Sequence, residues 1–215
     1  MDIIDHPDTR TPRATPALND PILTSLEQYW RTLRHARHIP ARNHLNPSKI
    51  DHALPHAFIL QRVAPGTARF RVAGQRIFEM LKMDARGMPF STLFHPEAHE
   101  KIADLIEIAF AEPAILGLPL VSQSTLTRPK LHGAMLLLPM QDDAGQTTRL
   151  LGAFVTPDAA QSRPRRFGIN SEIQIRHDSL GLKLATSRLP HAAPAQSKRP
   201  DTLLHPALKL VVNNG

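Results

Sequence analysis

The stretch Tyr29-Trp30-Arg31-Thr32-Leu33-Arg34-His35-Ala36-Arg37-His38-Ile39-Pro40-Ala41-Arg42 holds the chain's single tyrosine and single tryptophan side by side. Working back from it, Leu23, Leu26, Trp30, Leu33 and Arg37 step by three or four residues and share one face of a helix. Asn19-Asp20-Pro21 supplies a polar cap with proline in the first turn, and Pro40 stops the run. The pattern therefore predicts a helix over residues 20–38 with a stripe that needs an apolar surface to lie on.

Downstream, Asn46-Pro47 opens a second short helical piece that ends at Pro55. Ala57 to Val63 reads as a strand, Ala64-Pro65-Gly66-Thr67 as a turn, and Arg69 to Ala73 as a half-buried strand by its alternation. Gln75 to Met83 reads as helix, with Ile77, Phe78 and Leu81 on one side. After Pro96, Ile102, Leu105, Ile106, Ala109 and Phe110 mark an amphipathic helix that Pro113 ends. Three strands follow, at Ile115 to Val121, Lys130 to Met140 and Leu150 to Thr156. Met135-Leu136-Leu137-Leu138 is apolar at four consecutive positions, so that strand is covered on both faces. The helical middle covers one face; the Trp30 helix or a second subunit must cover the other. The order of elements is α+β, an antiparallel sheet with helices, and not a βαβ repeat.

Composition sets the limits. The 215 residues include 20 prolines, which crowd both ends. We expect a disordered arm at residues 1–19, a domain at 20–157, and a basic, proline-rich, mostly flexible tail at 158–215. The net charge is +7, and from Asp158 onward nine Lys or Arg face four Asp or Glu. Within that tail, Phe167 to Ile175 and Leu208 to Val212 keep strand-like hydrophobes. The absence of cysteine excludes disulfides, thiolate metal sites, cysteine nucleophiles and a flavin–cysteine adduct. No apolar run approaches the roughly 20 residues that span a bilayer, and the acidic start has no signal-peptide core. A cytoplasmic protein without membrane contact is expected.

The pattern as a whole resembles a bacterial, alphaproteobacterial-type family of single PAS-domain proteins. The residues that carry the resemblance are Tyr29-Trp30, Leu33-Arg34, Arg37, Pro40, Arg42, Pro47, Ile50 and Leu54-Pro55. They continue with Phe70-Arg71-Val72-Ala73-Gly74, Gly87, Leu136-Leu137-Leu138-Pro139 and Leu151-Gly152. The chain departs from the family pattern at Ala36 and Lys82, where glycines are expected, so the backbone around Lys82-Met83-Asp84 is expected to differ. The resemblance implies a five-stranded antiparallel sheet with helices on one face and an N-terminal helix. It also implies a cavity between sheet and helices, for which His132, Phe78 and Phe110 are the candidate ligand-facing residues. Tyr29, Trp30, Leu26 and Leu33 are the candidate interface residues. Because some PAS domains hold haem through a histidine of the helical middle, His95 and His99 are the haem candidates; the favoured reading leaves them as surface histidines, with no metal and no cofactor.

Arg34, Arg37 and Arg42 admit an anion site, but the reading preferred here has their stems cover the aromatic pair. No nucleophile elbow, phosphate-binding loop or His-Glu-x-x-His motif occurs, so no catalysis is expected. The resulting expectation is a non-catalytic sensor or adaptor, a homodimer that binds a protein partner and is open to a small ligand. The competing reading is a nucleic-acid-associated regulator. It would use Arg163-Pro164-Arg165-Arg166-Phe167 and Lys198-Arg199, but with aromatics at 5% it lacks the stacking residues such binding needs.

Overall fold

The computed structural model describes residues 17–34, 38–126, 128–157 and 163–181. Residues 1–16 of the expected arm at 1–19, and the tail beyond 181 with Leu208 to Val212, lie outside these residues.

Helix α1 spans Pro21–Leu33. The Asp20 side chain accepts from the Ile22 N–H at 2.8 Å, and Pro21 occupies the first turn, where a missing N–H costs nothing. Strands β1 (Ala57–Ala64) and β2 (Thr67–Ala73) form a hairpin. Helix α2 (Gln75–Leu81), a turn of 3-10 helix at Phe90–Leu93 and helix α3 (His99–Ala111) make the helical middle. Strands β3 (Ala114–Ser122), β4 (Leu131–Gln141) and β5 (Thr147–Val155) complete an antiparallel sheet ordered β2-β1-β5-β4-β3.

The central strand β4 separates two cores. Met135 and Leu137 point into the inner core beneath α2 and α3. Ala134, Leu136, Leu138 and Met140 point the other way, into a core closed by Leu23, Leu26 and Trp30 of α1. Trp30 is fully buried, and its indole N–H donates to the Pro139 carbonyl at 3.0 Å. Thus the tryptophan and the Leu-Leu-Leu-Pro segment, 109 residues apart, meet directly. The chain's own helix covers the second face, so no second subunit is needed for that purpose.

The sheet does not end at Val155. Strands β6 (Gly168–Ile169) and β7 (Arg176–Ser179) both pair with β3. Between the sheet and this edge, Phe167 is buried with its ring 5.1 Å from that of Phe154. The Phe167 N–H donates to Leu93 O and its carbonyl accepts from the His95 N–H, both at 2.9 Å. The expected domain end at 157 therefore falls short: residues 163–181 belong to the sheet. Three buried side chains, Arg165, Phe167 and Asn170, and an edge in need of partners outweighed the local proline and charge signals.

Two glycines of the sequence pattern have steric reasons. A Cβ at Gly152 would overlap the ring of Phe58 across the β1–β5 pair. A Cβ at Gly74 would overlap the carbonyls of Leu54 and Pro55, where the chain crosses the start of α2. Lys82, which replaces an expected glycine, adopts that glycine's left-handed conformation (φ 57°) and closes α2, its N–H donating to Phe78 O at 2.7 Å. The strain of that conformation is borne by a lysine.

Two stability changes follow from these contacts. Trp30→Ala removes a large aromatic and its hydrogen bond, and is expected to cost ~3–5 kcal/mol in denaturant unfolding. Lys82→Gly is expected to stabilise the fold by up to about 1 kcal/mol, because it relieves a left-handed Cβ clash. A destabilising Lys82→Gly would show that the lysine side chain, not the backbone turn, matters there.

Candidate functional site

The inner face is where a ligand was expected, and aromatic rings fill it. Phe58, Phe70, Phe90 and Phe94 form a chain of contacts with centroids 5.1–6.0 Å apart. Phe110 is buried there as expected, with the Arg62 guanidinium over its ring at 5.9 Å. Arg62 also pairs with Glu107 of α3, whose other oxygen accepts from the Gly66 N–H at 2.9 Å, so the β1–β2 turn is pinned to α3. A small cleft of about 180 Å³ opens between that turn and α3, touched by Phe90, His99 and Ile106.

The other two ligand candidates do not face this interior. In α2 the core takes Ile77, Met80 and Leu81, an i, i+3, i+4 set that turns Phe78 outward, 52% exposed. His132 is half-buried on β4 opposite Val121. It shares strand parity with Ala134 and Leu136, which face the α1 side. The haem candidates part company as well. His95 precedes the 3-10 turn Pro96–Ala98 and borders an open depression with Lys101 and Gln123, whereas His99 starts α3 with Nε2 3.3 Å from Phe94 O. Among the described residues no three His, Asp or Glu side chains gather as a metal cluster.

The four interface candidates lie on α1, and all but Leu33 join the outer core. Leu26 and Trp30 are fully buried against the chain's own sheet. Leu33 is half-buried. Tyr29 is half-buried, and its hydroxyl accepts from the Asn46 N–H at 2.7 Å. Arg34 lies over the Trp30 ring at 5.3 Å, which is the packing role expected of it; Arg37 lies outside the described residues.

On this outer face the segment 42–54 stands away from β1 and β2 and leaves a cleft of about 360 Å³. Leu45, Ile50 and Leu54 form one wall; Ile59, Val72 and Leu151 form the floor. Leu54 and Val72 remain 39% and 44% exposed. Arg42 and Asn43 are the polar residues at its rim. In the sequence these residues carry only strand, turn or arginine signals, because a cleft between segments has no periodicity of its own. Gly74 was the one hint, since its contacts fix how closely residues 54–55 approach the sheet.

A family model described as PAS domain matches residues 18–155. The chain belongs to the PAS-domain family. Among solved structures, the light state of the blue-light photoreceptor Aureochrome1 LOV is similar at 14% identity and a TM-score of 0.38, over 53% of this chain and 89% of that one. No curated protein matches. No helix among the described residues of this PAS protein is long and apolar enough to cross a membrane.

A polar clamp fastens the covering helix to the added edge of the PAS sheet. Arg176 of β7 donates to both Glu27 oxygens, at 2.6 and 2.8 Å, and also pairs with Asp178. Arg31 shares Glu27 at 2.7 Å. The Arg176 hydrogen bonds, foremost, hold the Glu27 carboxyl below its ordinary value of 4.5, and Arg176 is raised in turn. A depressed acid stabilises the fold above its unfolded pKa, and that contribution fades as pH falls through the folded pKa. Glu27→Gln is therefore expected to lower the melting temperature at pH 7, with the gap from wild type closing as pH falls below about 4.5. A gap that persists unchanged at pH 3 would mean that packing, not charge, makes the contact.

Proposed function

We propose that this protein is a non-catalytic PAS sensor or adaptor that relays a signal through protein–protein contacts, with a small ligand as its input. Membership of the PAS family supports a sensory role. The observation that carries the contact reading is the pair Phe78 and Met83, which flank the left-handed turn at Lys82 and stay 52% and 47% exposed. A phenylalanine and a methionine held at the surface around one rigid turn give an adaptable apolar knob for a partner. A second copy of the chain is the first partner to test, since homodimers are the commonest assemblies.

The competing nucleic-acid reading loses its best motif. Arg165 and Phe167 of the basic run are buried in the domain, with Arg165 Nη1 on Pro129 O at 3.0 Å. Burial lowers the Arg165 pKa, which marks it as a packing residue and not a phosphate contact.

The test is a Phe78→Ser/Met83→Ser double variant of the full chain. Because both side chains are exposed, its stability should stay within about 0.5 kcal/mol of wild type. Sedimentation velocity should show a wild-type dimer that the variant lacks. A dimer unchanged by the double variant, or a wild type monomeric at every concentration, would remove the α2 knob as the contact surface.

A further inference from the structure

We infer that the outer-face cleft between residues 42–54 and the β1–β2–β5 floor binds a medium-chain acyl carboxylate, with Arg42 holding the carboxylate and the apolar walls holding the chain. The inference rests on the sensor reading above and names the class of its input. The cleft lies on the α1 side of the sheet, away from the phenylalanine-filled interior beneath α2 and α3.

The chemistry follows from the lining. At about 360 Å³ the cleft falls in the roughly 300–1,000 Å³ range of small-molecule sites. The side chains below the rim are aliphatic or aromatic. Floor and wall backbone groups that adjoin it are already paired: Ala57 O accepts from the Gly74 N–H at 2.8 Å, and Pro55 O from the Arg76 N–H at 2.8 Å. The β1–β5 ladder runs through Ile59 and Leu151. A polar ligand body would find nothing to bond there. At the rim the balance reverses. Arg42 is the single charged residue of the lining, no Asp or Glu lines the cleft, and Arg42 makes no ion pair among the described residues. The site thus complements a ligand with one anionic end and an aliphatic body. A planar guanidinium beside the Asn43 amide matches a carboxylate, which takes two parallel N–H donors.

The wall also has a fixed frame. The Tyr29–Asn46 bond and the Ser25 to His52 contact at 2.6 Å tie the segment to α1 at two points. Ser25 also donates to Ile22 O at 3.0 Å, and its contact with His52 acts as a strap. The cleft is preformed, and binding need not order a loose loop.

The test is calorimetric titration of the full chain with sodium decanoate, kept below the concentration at which it forms micelles. One decanoate should bind per chain and saturate. Decanol, with the same body and no charge, should bind at least about tenfold more weakly, and Arg42→Gln should weaken decanoate by a similar factor. Arg42 is exposed and makes no ion pair among the described residues, so Arg42→Gln should melt like wild type. Val72→Glu, which sets an acidic charge on the cleft floor at a side chain that is 44% exposed, should abolish decanoate binding while the chain still folds. Unsaturable uptake, equal binding of decanoate and decanol, or an Arg42→Gln titration identical to wild type overturns the proposal. So does a dimer that Val72→Glu splits and decanoate does not, which would give the cleft to a second copy. Loss of decanoate binding leaves the Phe78–Met83 contact untouched, so the two readings fail separately.

Discussion

The fold depends on a central strand that must be buried twice. Along β4, odd-numbered side chains from Leu131 to Leu137 enter the inner core, and even-numbered ones from Ala134 to Met140 enter the outer core. Such a strand is stable only when both sides are dry, and a domain of this size has one set of helices for one side. Helix α1 supplies the other. Its tryptophan satisfies its one polar atom on the carbonyl of a proline in β4, so burial leaves no unpaired donor. Once α1 is fixed on that face, the chain leaving it must turn back, and the Pro40 carbonyl meets the Gln141 N–H at 2.9 Å at the far end of β4. Residues 42–54 are then left to run beside the β1–β2 hairpin, and that course creates the cleft.

Much of this was legible because it was written in period and in proline. The α1 stripe, the hairpin at Pro65-Gly66, the α3 stripe and the four-residue apolar run of β4 each carry a local signal whose physical cause also operates in the fold. What was not legible depended on contacts remote in sequence. Phe78 was placed on one side with Ile77 and Leu81, but the core takes the i, i+3, i+4 set Ile77, Met80 and Leu81, which turns Phe78 out. His132 lies in an apolar strand, and nothing local states which parity faces which core; Met135 and Leu137 decide it. The added edge at residues 163–181 follows a proline-rich, basic stretch that reads as tail. Its attachment comes from Phe167 beneath the sheet and from Arg176 reaching Glu27, 149 residues away. No window of sequence contains both partners.

The two faces of the sheet have been put to different uses, and the distribution of aromatic residues explains why. Seven of the eight phenylalanines lie on the inner side, where edge-to-face rings fill the space between sheet and helices. Rings packed in this manner have little freedom to rearrange without opening a void, and voids in a packed core are costly. The outer face is built from leucine, isoleucine, alanine, valine, one methionine and one tryptophan, and its cover is two pieces, α1 and the 42–54 segment. The pieces are joined by a hydroxyl–amide bond from Tyr29 and a serine–histidine strap from Ser25, beside the apolar contacts that put Ile50 and Ala53 in the same core as Leu23, Leu26 and Trp30. Polar contacts near the surface exchange with water at small cost, so these two ties set the register of the pieces while the apolar contacts supply the burial. α1 is in turn held to β7 through Glu27 and Arg176. Cleft wall, helix and sheet edge are thus joined by successive contacts on the outer face, on the opposite side of the sheet from the phenylalanine-filled core.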